Sequence, residues 1–138
     1  MQRFPADLAL KDAQPDDFDA VLLPGGALNA DKLRMETAAR EFVQHIDQSG
    51  RPIAAICHAP WLLVSAKLVK GRRLTSYYTL QDDIICAGGI WEDREVLVDR
   101  NWVTSRKPDD IPALNREIRT LLAQARAGQG KTRAETRR

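Results

Sequence analysis

Short apolar runs alternate with amphipathic segments along the chain. The runs at residues 20–23 (AVLL) and 52–56 (PIAAI) are too short for helices and predict buried β-strands. Residues 36–48 and 58–66 place their apolar side chains at helical spacing and predict two helices. The first of these helices precedes Gly50, a residue type that commonly ends helices. The order strand, helix, strand, helix predicts a parallel sheet covered by helices.

The second half of the chain continues this pattern with shorter signals. Residues 72–77 (RRLTSY) predict a third strand, and residues 79–89 predict a short helix ended by two glycines. Residues 94–105 predict a hairpin that turns at 99–101. A final helix starts near Pro112 and repeats apolar side chains at helical spacing as far as residue 125. The predicted fold class is therefore α/β, with a mostly parallel sheet.

The composition is that of one globular domain. Of 138 residues, 43% are hydrophobic and 29% are charged, which is enough apolar material for a single core. We predict a single domain over residues 1–125 and a basic, disordered tail over 126–138. The tail accounts for the net charge of +2, because it holds five basic residues and one acidic residue. It has no aromatic side chains and is more typical of a solvated terminus than of a nucleic-acid site.

Targeting and cofactor signals are weak in this sequence. No apolar run approaches the roughly 18 residues of a membrane span, and the first residues lack the apolar centre of a signal peptide. A cytoplasmic location without membrane contact is the resulting expectation. Two cysteines, Cys57 and Cys86, are too few for a disulfide scaffold and lack the spacing of a zinc site. We therefore expect reduced thiols, no metal and no other cofactor.

The residues around Cys57 suggest a nucleophile. Cys57 follows the predicted strand 52–56 directly, and Pro60 suits the first turn of the helix that comes next. A sharp turn at this point lifts a side chain above the carboxyl end of a parallel sheet, where ligands bind. The amino end of the following helix favours a thiolate. Local composition alone leaves a buried structural cysteine as an equally good interpretation.

Backbone N–H groups near Cys57 could stabilise negative charge on a substrate oxygen. The turn Pro24-Gly25-Gly26 follows the first strand, and its backbone is free to adopt unusual angles. The N–H of His58 and one from Gly25 or Gly26 are candidates for a pair of donors to a developing oxyanion.

Three stretches together resemble the PfpI family. They are FDAVLLPGG, RPIAAICHAPWLLVSAKLVKGRRLTSY and DDIICAGGIWEDREVLVDRNWVTSRKPDDIPALNREI, and the resemblance runs from about Phe18 to Leu122. The family includes intracellular cysteine peptidases and stress-response proteins of glyoxalase or deglycase type. It belongs to the parkinsonism-associated deglycase superfamily and is related to class I glutamine amidotransferases. The resemblance implies a flavodoxin-like three-layer sandwich and assembly as a dimer or hexamer.

The resemblance also implies roles for particular residues. The family nucleophile falls on Cys57, and the adjacent histidine on His58. An acidic residue in GGALNADKLR, Asp31, matches the family acid that reaches the histidine of a neighbouring subunit. Tyr77 matches a tyrosine that lines the pocket, although Tyr78 stands where a proline often follows it. A histidine next to its nucleophile needs such a third group to fix its ring and tautomer.

The beginning of the chain departs from the family pattern. Members of the family resemble each other in an additional amino-terminal strand and helix, which end in a glutamate that lies beside the nucleophile. No segment before Asp31 in this sequence matches that strand, helix and glutamate. The resemblance therefore implies an amino-terminally truncated sandwich that lacks the strand next to the Cys57 strand. Loss of that strand would leave apolar side chains and backbone groups unpaired, so we expect obligate association or poor solubility.

The function expected from these residues is a cysteine-dependent stress-response hydrolase or lyase. Cys57, His58 and Asp31 would act on a reactive carbonyl such as methylglyoxal, on its adducts, or on a peptide bond. Glutamine amidotransfer is disfavoured, because it needs a histidine far downstream and the chain has only His45 and His58. A non-enzymatic redox sensor or chaperone-like protein, and an inactive truncated remnant, remain as alternatives.

Several residues also have purely structural interpretations. Asp31 could cap a short helix beginning at Lys32. Cys86 is expected to pack against its surroundings, and His45 to face solvent. Arg106 and its neighbour Lys107 could attract an anionic substrate, although a solvated pair is the simpler expectation.

Overall fold

The computed structural model describes the backbone of residues 3–136 and the side chains of residues 3–128. Its strands are β1 (Val21–Leu23), β2 (Ile53–Ile56), β3 (Arg73–Leu74), β4 (Ile90–Trp91), β5 (Leu97–Asp99) and β6 (Trp102–Ser105). Its α-helices are α1 (Ala27–Leu33), α2 (Thr37–Gln48), α3 (Pro60–Ser65), α4 (Gln81–Cys86) and α5 (Ile111–Thr136). Short 3-10 turns lie at Leu10–Asp12, Pro15–Asp17, Tyr78–Leu80 and Pro108–Asp110.

A mostly parallel sheet of strand order β1-β2-β6-β5 lies at the centre of the fold. Strand β2 pairs in parallel with β1 and with β6, so that Ile53 lies opposite both Val21 and Trp102. Strand β5 returns antiparallel to β6 as the predicted hairpin. The predicted α/β class and the mostly parallel sheet are confirmed.

One expectation about this sheet is wrong. The sequence analysis places an unpaired side next to the Cys57 strand, but β2 has a neighbour on each side. The open edge belongs to β1 instead. The N–H of Val21 donates to the Pro52 carbonyl, so the backbone groups of the next residue, Leu22, face the other way.

Helices cover both faces of the sheet and give the three layers. On one face, α2 and α3 pack against β2 and β6 around Ile46, Ile53, Leu62 and Trp102, all fully buried. On the other face, α5 packs through Leu114, Ile118 and Leu121 onto the opposite sides of β2 and β6. Because successive side chains along a strand point to opposite faces of the sheet, each short strand contributes to the core on both faces.

A second, small sheet lies beside the main one. Strands β3 and β4 pair in parallel over two residues each. The predicted third strand at 72–77 is therefore only partly a strand, and it lies outside the main sheet. Strand β4 follows Gly88 and Gly89 and was not predicted, because two residues are too short to show any periodicity.

Arg72 ties the small sheet to the main one. Its side chain is 7% exposed and contacts Asp47 of α2 at 3.3 Å and Asp99 of β5 at 2.9 Å. It also donates to the Asn101 side-chain oxygen at 3.0 Å, and its guanidinium lies 3.9 Å from the centre of the Trp102 ring. This Arg72 cluster joins α2, β3, β5 and β6.

Helix α5 continues beyond the predicted domain boundary. Its backbone is helical from residue 126 to residue 136, where the sequence predicts a disordered tail. Alanine, arginine, glutamine and lysine are strong helix formers. Each glycine in the segment makes the helix less stable than an alanine would by only about 1 kcal/mol. Arg137 and Arg138 lie outside the described residues. Of the helices in the described part of the chain, none combines the length and apolar character that a membrane span requires.

Candidate active site

Cys57 occupies a sharp turn between β2 and α3. Its N–H donates to the Ser105 carbonyl at 3.0 Å, which extends the pairing of β2 with β6 by one residue. Its φ is +64°, in the left-handed region that costs a non-glycine residue about 1–2 kcal/mol. Helix α3 then begins at Pro60, whose fixed φ suits a first turn. The thiol therefore lies at the carboxyl end of the sheet, where the sequence placed it.

His58 contacts the thiol directly. Its Nδ1 lies 3.2 Å from the Cys57 Sγ, and its Nε2 lies 3.4 Å from the Thr79 Oγ1. Burial lowers the pKa of His58, because removal of water disfavours the charged imidazolium. The neutral ring is therefore favoured near neutral pH, and its Nδ1 can accept the thiol proton.

Two aromatic rings hold the imidazole in place. The Tyr77 ring stacks on it at 4.9 Å between centroids, with an interplanar angle of 25°. The Tyr77 N–H also donates to the Cys57 carbonyl at 2.9 Å. Trp61 meets the imidazole edge-on at 5.2 Å, and its own N–H donates to Asp83 at 2.8 Å. The predicted pocket residue Tyr77 is thus adjacent to the Cys57–His58 pair.

The glycine turn lies against Cys57. A Cβ at Gly25 would come within 3.0 Å of the Cys57 Cβ and 3.7 Å of its Sγ, so only glycine fits without a shift. Gly26 has a φ of +100°, a conformation that side chains rarely adopt. In the described residues, the N–H groups of Gly25, Gly26 and His58 donate to no backbone carbonyl. They are therefore available as donors.

Asp31 lies apart from His58 within one chain. It occupies the middle of α1, an exposed position, and makes no hydrogen bond to His58 among the described residues. The interpretation of Asp31 as a cap is wrong, because the helix begins four residues earlier, at Ala27. Leu28 is also exposed, and its spacing of three residues from Asp31 puts it on the same side of α1. Met35, two residues after the end of the helix, is exposed as well.

Several other predictions concern side chains around this site. Cys86 is exposed rather than packed. His45 is exposed as predicted and contacts Asp16. Arg106 is not a solvated cation, since it pairs with Asp93 at 2.8 Å and Asp110 at 3.0 Å. No group of potential metal ligands occurs among the described residues.

Sequence analysis did not identify Thr79 or Trp61 as parts of the site. Thr79 lies in the 3-10 turn Tyr78–Leu80, and its contact with His58 joins residues 21 positions apart. No local pattern marks such a contact. The apolar face of the helix over 58–66 included Trp61, but its role against the imidazole depends on the turn at Cys57.

The family model and the similar sequences all indicate the same protein family. Residues 2–121 match the model of the DJ-1/PfpI family. A Pyrococcus furiosus protein named Deglycase PfpI is 47% identical over 116 residues, which are 84% of this chain and 69% of that protein. An Escherichia coli protein named Protein/nucleic acid deglycase 2 is 44% identical over 117 residues, 84% of this chain and 67% of that protein.

Solved structures agree in fold. A two-domain protein from Anabaena variabilis, with DJ-1/ThiJ/PfpI-like and ferritin-like domains, superposes with a TM-score of 0.80 at 33% identity. The match covers 83% of this chain and 32% of that one. Drosophila melanogaster DJ-1beta superposes with a TM-score of 0.68 at 25% identity, over 87% of this chain and 66% of that one.

Proposed function

The chain belongs to the DJ-1/PfpI family, and from this premise we propose that it is a cysteine-dependent enzyme acting on reactive carbonyl compounds. Cys57 is the nucleophile, His58 moves the proton, and Asp31 of a neighbouring copy orients His58. The observation that carries this proposal is the 3.2 Å contact between the Cys57 Sγ and the His58 Nδ1 on a strained turn. A nucleophile within hydrogen-bond reach of an oriented base is the general requirement for covalent catalysis.

The first chemical step follows from this geometry. His58 Nδ1 takes the proton of the Cys57 thiol, and the sulfur adds to the carbonyl carbon of the substrate. The C=O π pair moves to the oxygen, where the N–H groups of His58 and of Gly25 or Gly26 can donate. The imidazolium then returns the proton to that oxygen, which gives a hemithioacetal. Preorganised donors of this kind stabilise the charge as it develops.

The substrate class is supported by the names of relatives. Two relatives at 44–47% identity are named deglycases. Methylglyoxal, a small 2-oxoaldehyde, and its adducts on amines or thiols are the proposed substrates. Hydrolysis of a peptide bond by the same residues is a second, less favoured activity.

Asp31 fits a role across an interface between copies. Asp31 lies on an exposed side of α1 together with Leu28, and Met35 follows two residues after the helix ends; both apolar side chains are exposed. Such a side is suited to burial against another molecule. We propose assembly as a dimer or hexamer in which the Asp31 carboxylate accepts a hydrogen bond from the Nε2–H of His58 in the next copy.

Turnover by a cysteine variant tests the proposed chemistry. Replacement of Cys57 by alanine should abolish methylglyoxal consumption, because no other described thiol contacts a histidine. Cys86→Ala is the matched control and should keep full activity, since Cys86 is exposed and remote from His58 in the contacts described. Unchanged consumption in Cys57→Ala, or none in the unsubstituted protein, would contradict the proposal.

A redox-sensing role is the second candidate, because Cys57 is partly exposed and contacts a base. Thiolate character and access to solvent are what oxidation to a sulfenic acid requires. Peroxide treatment followed by intact-mass analysis separates the two functions. Selective oxidation of Cys57 without aldehyde turnover would favour the sensor.

A further inference from the structure

The segment that follows β6 lies beside the Cys57 turn. The Ser105 carbonyl at the end of β6 accepts a hydrogen bond from the Cys57 N–H at 3.0 Å. Arg106 and Lys107 come next, and the backbone of Lys107 is extended, with a φ of −160° and a ψ of 168°. Two residues of extended chain span about 7 Å. Lys107 therefore lies at the same end of the sheet as the thiol, at a distance that its side chain and a small substrate together can span.

The two basic residues of this segment have different neighbours. Arg106 pairs with Asp93 at 2.8 Å and with Asp110 at 3.0 Å, so its charge is already balanced. Within residues 3–128, the Lys107 ammonium makes no ion pair and lies 5.9 Å from the centre of the Tyr78 ring. An aromatic ring attracts a cation without neutralising its charge. Lys107 therefore offers a positive charge that a bound anion can pair.

Tyr78 connects Lys107 to the catalytic pair. Its ring is 5.7 Å from the Tyr77 ring, which stacks on the His58 imidazole at 4.9 Å. The next residue along the chain, Thr79, contacts the His58 Nε2 at 3.4 Å. Tyrosine rings are uncharged at neutral pH, so the two rings between the ammonium and the imidazole do not balance the positive charge. The lysine is therefore the cation nearest to the proposed base through these contacts.

We propose that Lys107 selects carbonyl substrates that carry a carboxylate, such as glyoxylate, over neutral ones such as methylglyoxal. The ammonium donates hydrogen bonds to the carboxylate while the aldehyde carbon meets the Cys57 thiol. The inference rests on the proposed nucleophile Cys57. A C–S bond forms, the C=O π pair moves to the aldehyde oxygen, and the thiol proton reaches that oxygen through His58. The hemithioacetal contains every atom of both reactants, so no oxidant or reductant is needed.

The size of the expected selectivity follows from the exposure of Lys107, which is partly buried. Opposite charges near a protein surface attract each other, and water and salt weaken that attraction. Ion pairs that remain in contact with solvent change an equilibrium by up to about fivefold. An effect of this size is resolved when two reagents of different charge are compared in the same sample.

Iodoacetate and iodoacetamide test the charge without turnover. Both alkylate a thiolate with loss of iodide, and they differ in a carboxylate against an uncharged amide. Rates at Cys57 and Cys86 are measured in one sample by mass spectrometry of peptides. Lys107→Met should lower the iodoacetate-to-iodoacetamide rate ratio at Cys57 about three- to fivefold and leave the ratio at exposed Cys86 unchanged. The same ratio at Cys57 with and without this substitution would overturn the inference.

Two further lysine variants separate the local charge from the net charge. Lys107→Arg keeps the positive charge and should retain most of the ratio. Lys70→Met removes the same charge from an exposed lysine beside Gly88, before β3, and should leave the ratio at Cys57 unchanged. Sodium chloride at about 0.5 M should reduce the difference between Lys107→Met and the unsubstituted protein. An equal fall of the ratio in Lys70→Met and Lys107→Met would overturn the inference.

Turnover separates this inference from the proposed function. The kcat/KM for glyoxylate relative to that for methylglyoxal should fall about three- to fivefold in Lys107→Met. If methylglyoxal is consumed while neither the alkylation ratio nor the turnover ratio responds to Lys107→Met, the inference is overturned and the proposed function stands. If the alkylation ratio responds while neither aldehyde is consumed, recognition of the anion by Lys107 stands and the proposed turnover is contradicted.

Discussion

The two ring nitrogens of His58 have different neighbours and different tasks. Nδ1 faces the Cys57 Sγ, and Nε2 faces the Thr79 Oγ1. A base at Nδ1 requires the tautomer in which Nε2 carries the proton. The Thr79 hydroxyl oxygen can accept from that Nε2–H in both the neutral and the protonated ring. Thr79 is therefore placed to favour the tautomer in which Nδ1 faces the thiol as an acceptor.

Replacement of Thr79 tests this positioning role. Thr79→Val keeps the shape of the side chain and removes the acceptor, so the rate of Cys57 alkylation at pH 7 should fall about three- to tenfold. Thr79→Ser restores an acceptor and should recover most of the rate. Equal rates in the valine and serine variants would show that the hydroxyl has no part in orienting His58.

The pH profile of the same reaction follows from the environment of His58. Its pKa lies below the ordinary value because of burial, so the neutral base persists to lower pH than in an exposed histidine. His58-dependent alkylation of Cys57 should therefore be lost only as the pH falls through a midpoint below about 6.5. Rates of Cys57 alkylation measured from pH 4.5 to 8 check this. The His58→Gln variant should not show the loss of rate that protonation of His58 causes at low pH.

The Arg72 cluster is the clearest connection between elements. Its partners come from two distant parts of the chain: Asp47 lies in α2, and Asp99 and Asn101 lie in the β5–β6 hairpin. Burial tends to raise the pKa of Asp99, but hydrogen bonds from the Arg72 side chain and the Arg73 N–H outweigh it and lower the pKa overall. Asp99 therefore contributes stability above the pKa of an unfolded aspartate, and this contribution is lost as the pH falls through the folded-state pKa.

Removal of the buried guanidinium should be costly. Arg72→Met leaves two carboxylates without their cation, so the free energy of unfolding at pH 7 should fall by about 3 kcal/mol. Arg73→Met removes a partly exposed pair with Glu92 and should cost less than about 1 kcal/mol. Urea unfolding measures both variants. The penalty for Arg72→Met should shrink as the pH falls from the pKa of an unfolded aspartate, about 3.9, through the lower pKa of Asp99 in the folded protein. A penalty independent of pH would contradict this account.

The sequence predicted the elements that carry an apolar pattern or a terminal signal of their own, and it missed strand β4 and the start of α1. Strands β1, β2 and the β5–β6 hairpin, and helices α2, α3 and α5, all show a clear apolar period or a terminal signal. Strand β3 was predicted as part of a longer strand over 72–77, and β4 was not predicted, because its pairing depends on backbone contacts with Arg72 and Leu74 rather than on a pattern of its own side chains. The site follows the same rule. Cys57 and His58 are adjacent in the sequence, so one local turn was enough to predict them. Thr79 is 21 residues from His58, so its contact with the ring becomes visible only in the folded structure.

The open edge of β1 governs how whole molecules should associate. Leu22 is 60% exposed, and its backbone N–H and C=O face away from β2. Unpaired edges of this kind add strands from other molecules, and a lysine on the edge opposes such pairing. Leu22→Lys should therefore lower the weight-average mass in sedimentation, whereas Val98→Lys on β5 should not. A monodisperse monomer of the unsubstituted chain would contradict this expectation.

Mixed assemblies test whether Asp31 acts between molecules. Cys57→Ala and Asp31→Asn should each be inactive alone, because each lacks one part of every site. In a two-fold dimer, random mixing of the two variants should restore about a quarter of the unsubstituted activity, since half the dimers regain one complete site. No recovery after co-expression would show that the carboxylate does not act across the interface.

The pairing of β2 with β6 also determines when the nucleophile takes its shape during synthesis. Ile53 lies opposite Trp102, so β2 is synthesised well before its second neighbour exists. Until then the nascent chain can offer β2 only β1 as a partner. The Ser105 carbonyl that holds the Cys57 N–H is made later still. A nascent chain halted before residue 105 would therefore contain Cys57 without the hydrogen bond that holds its turn.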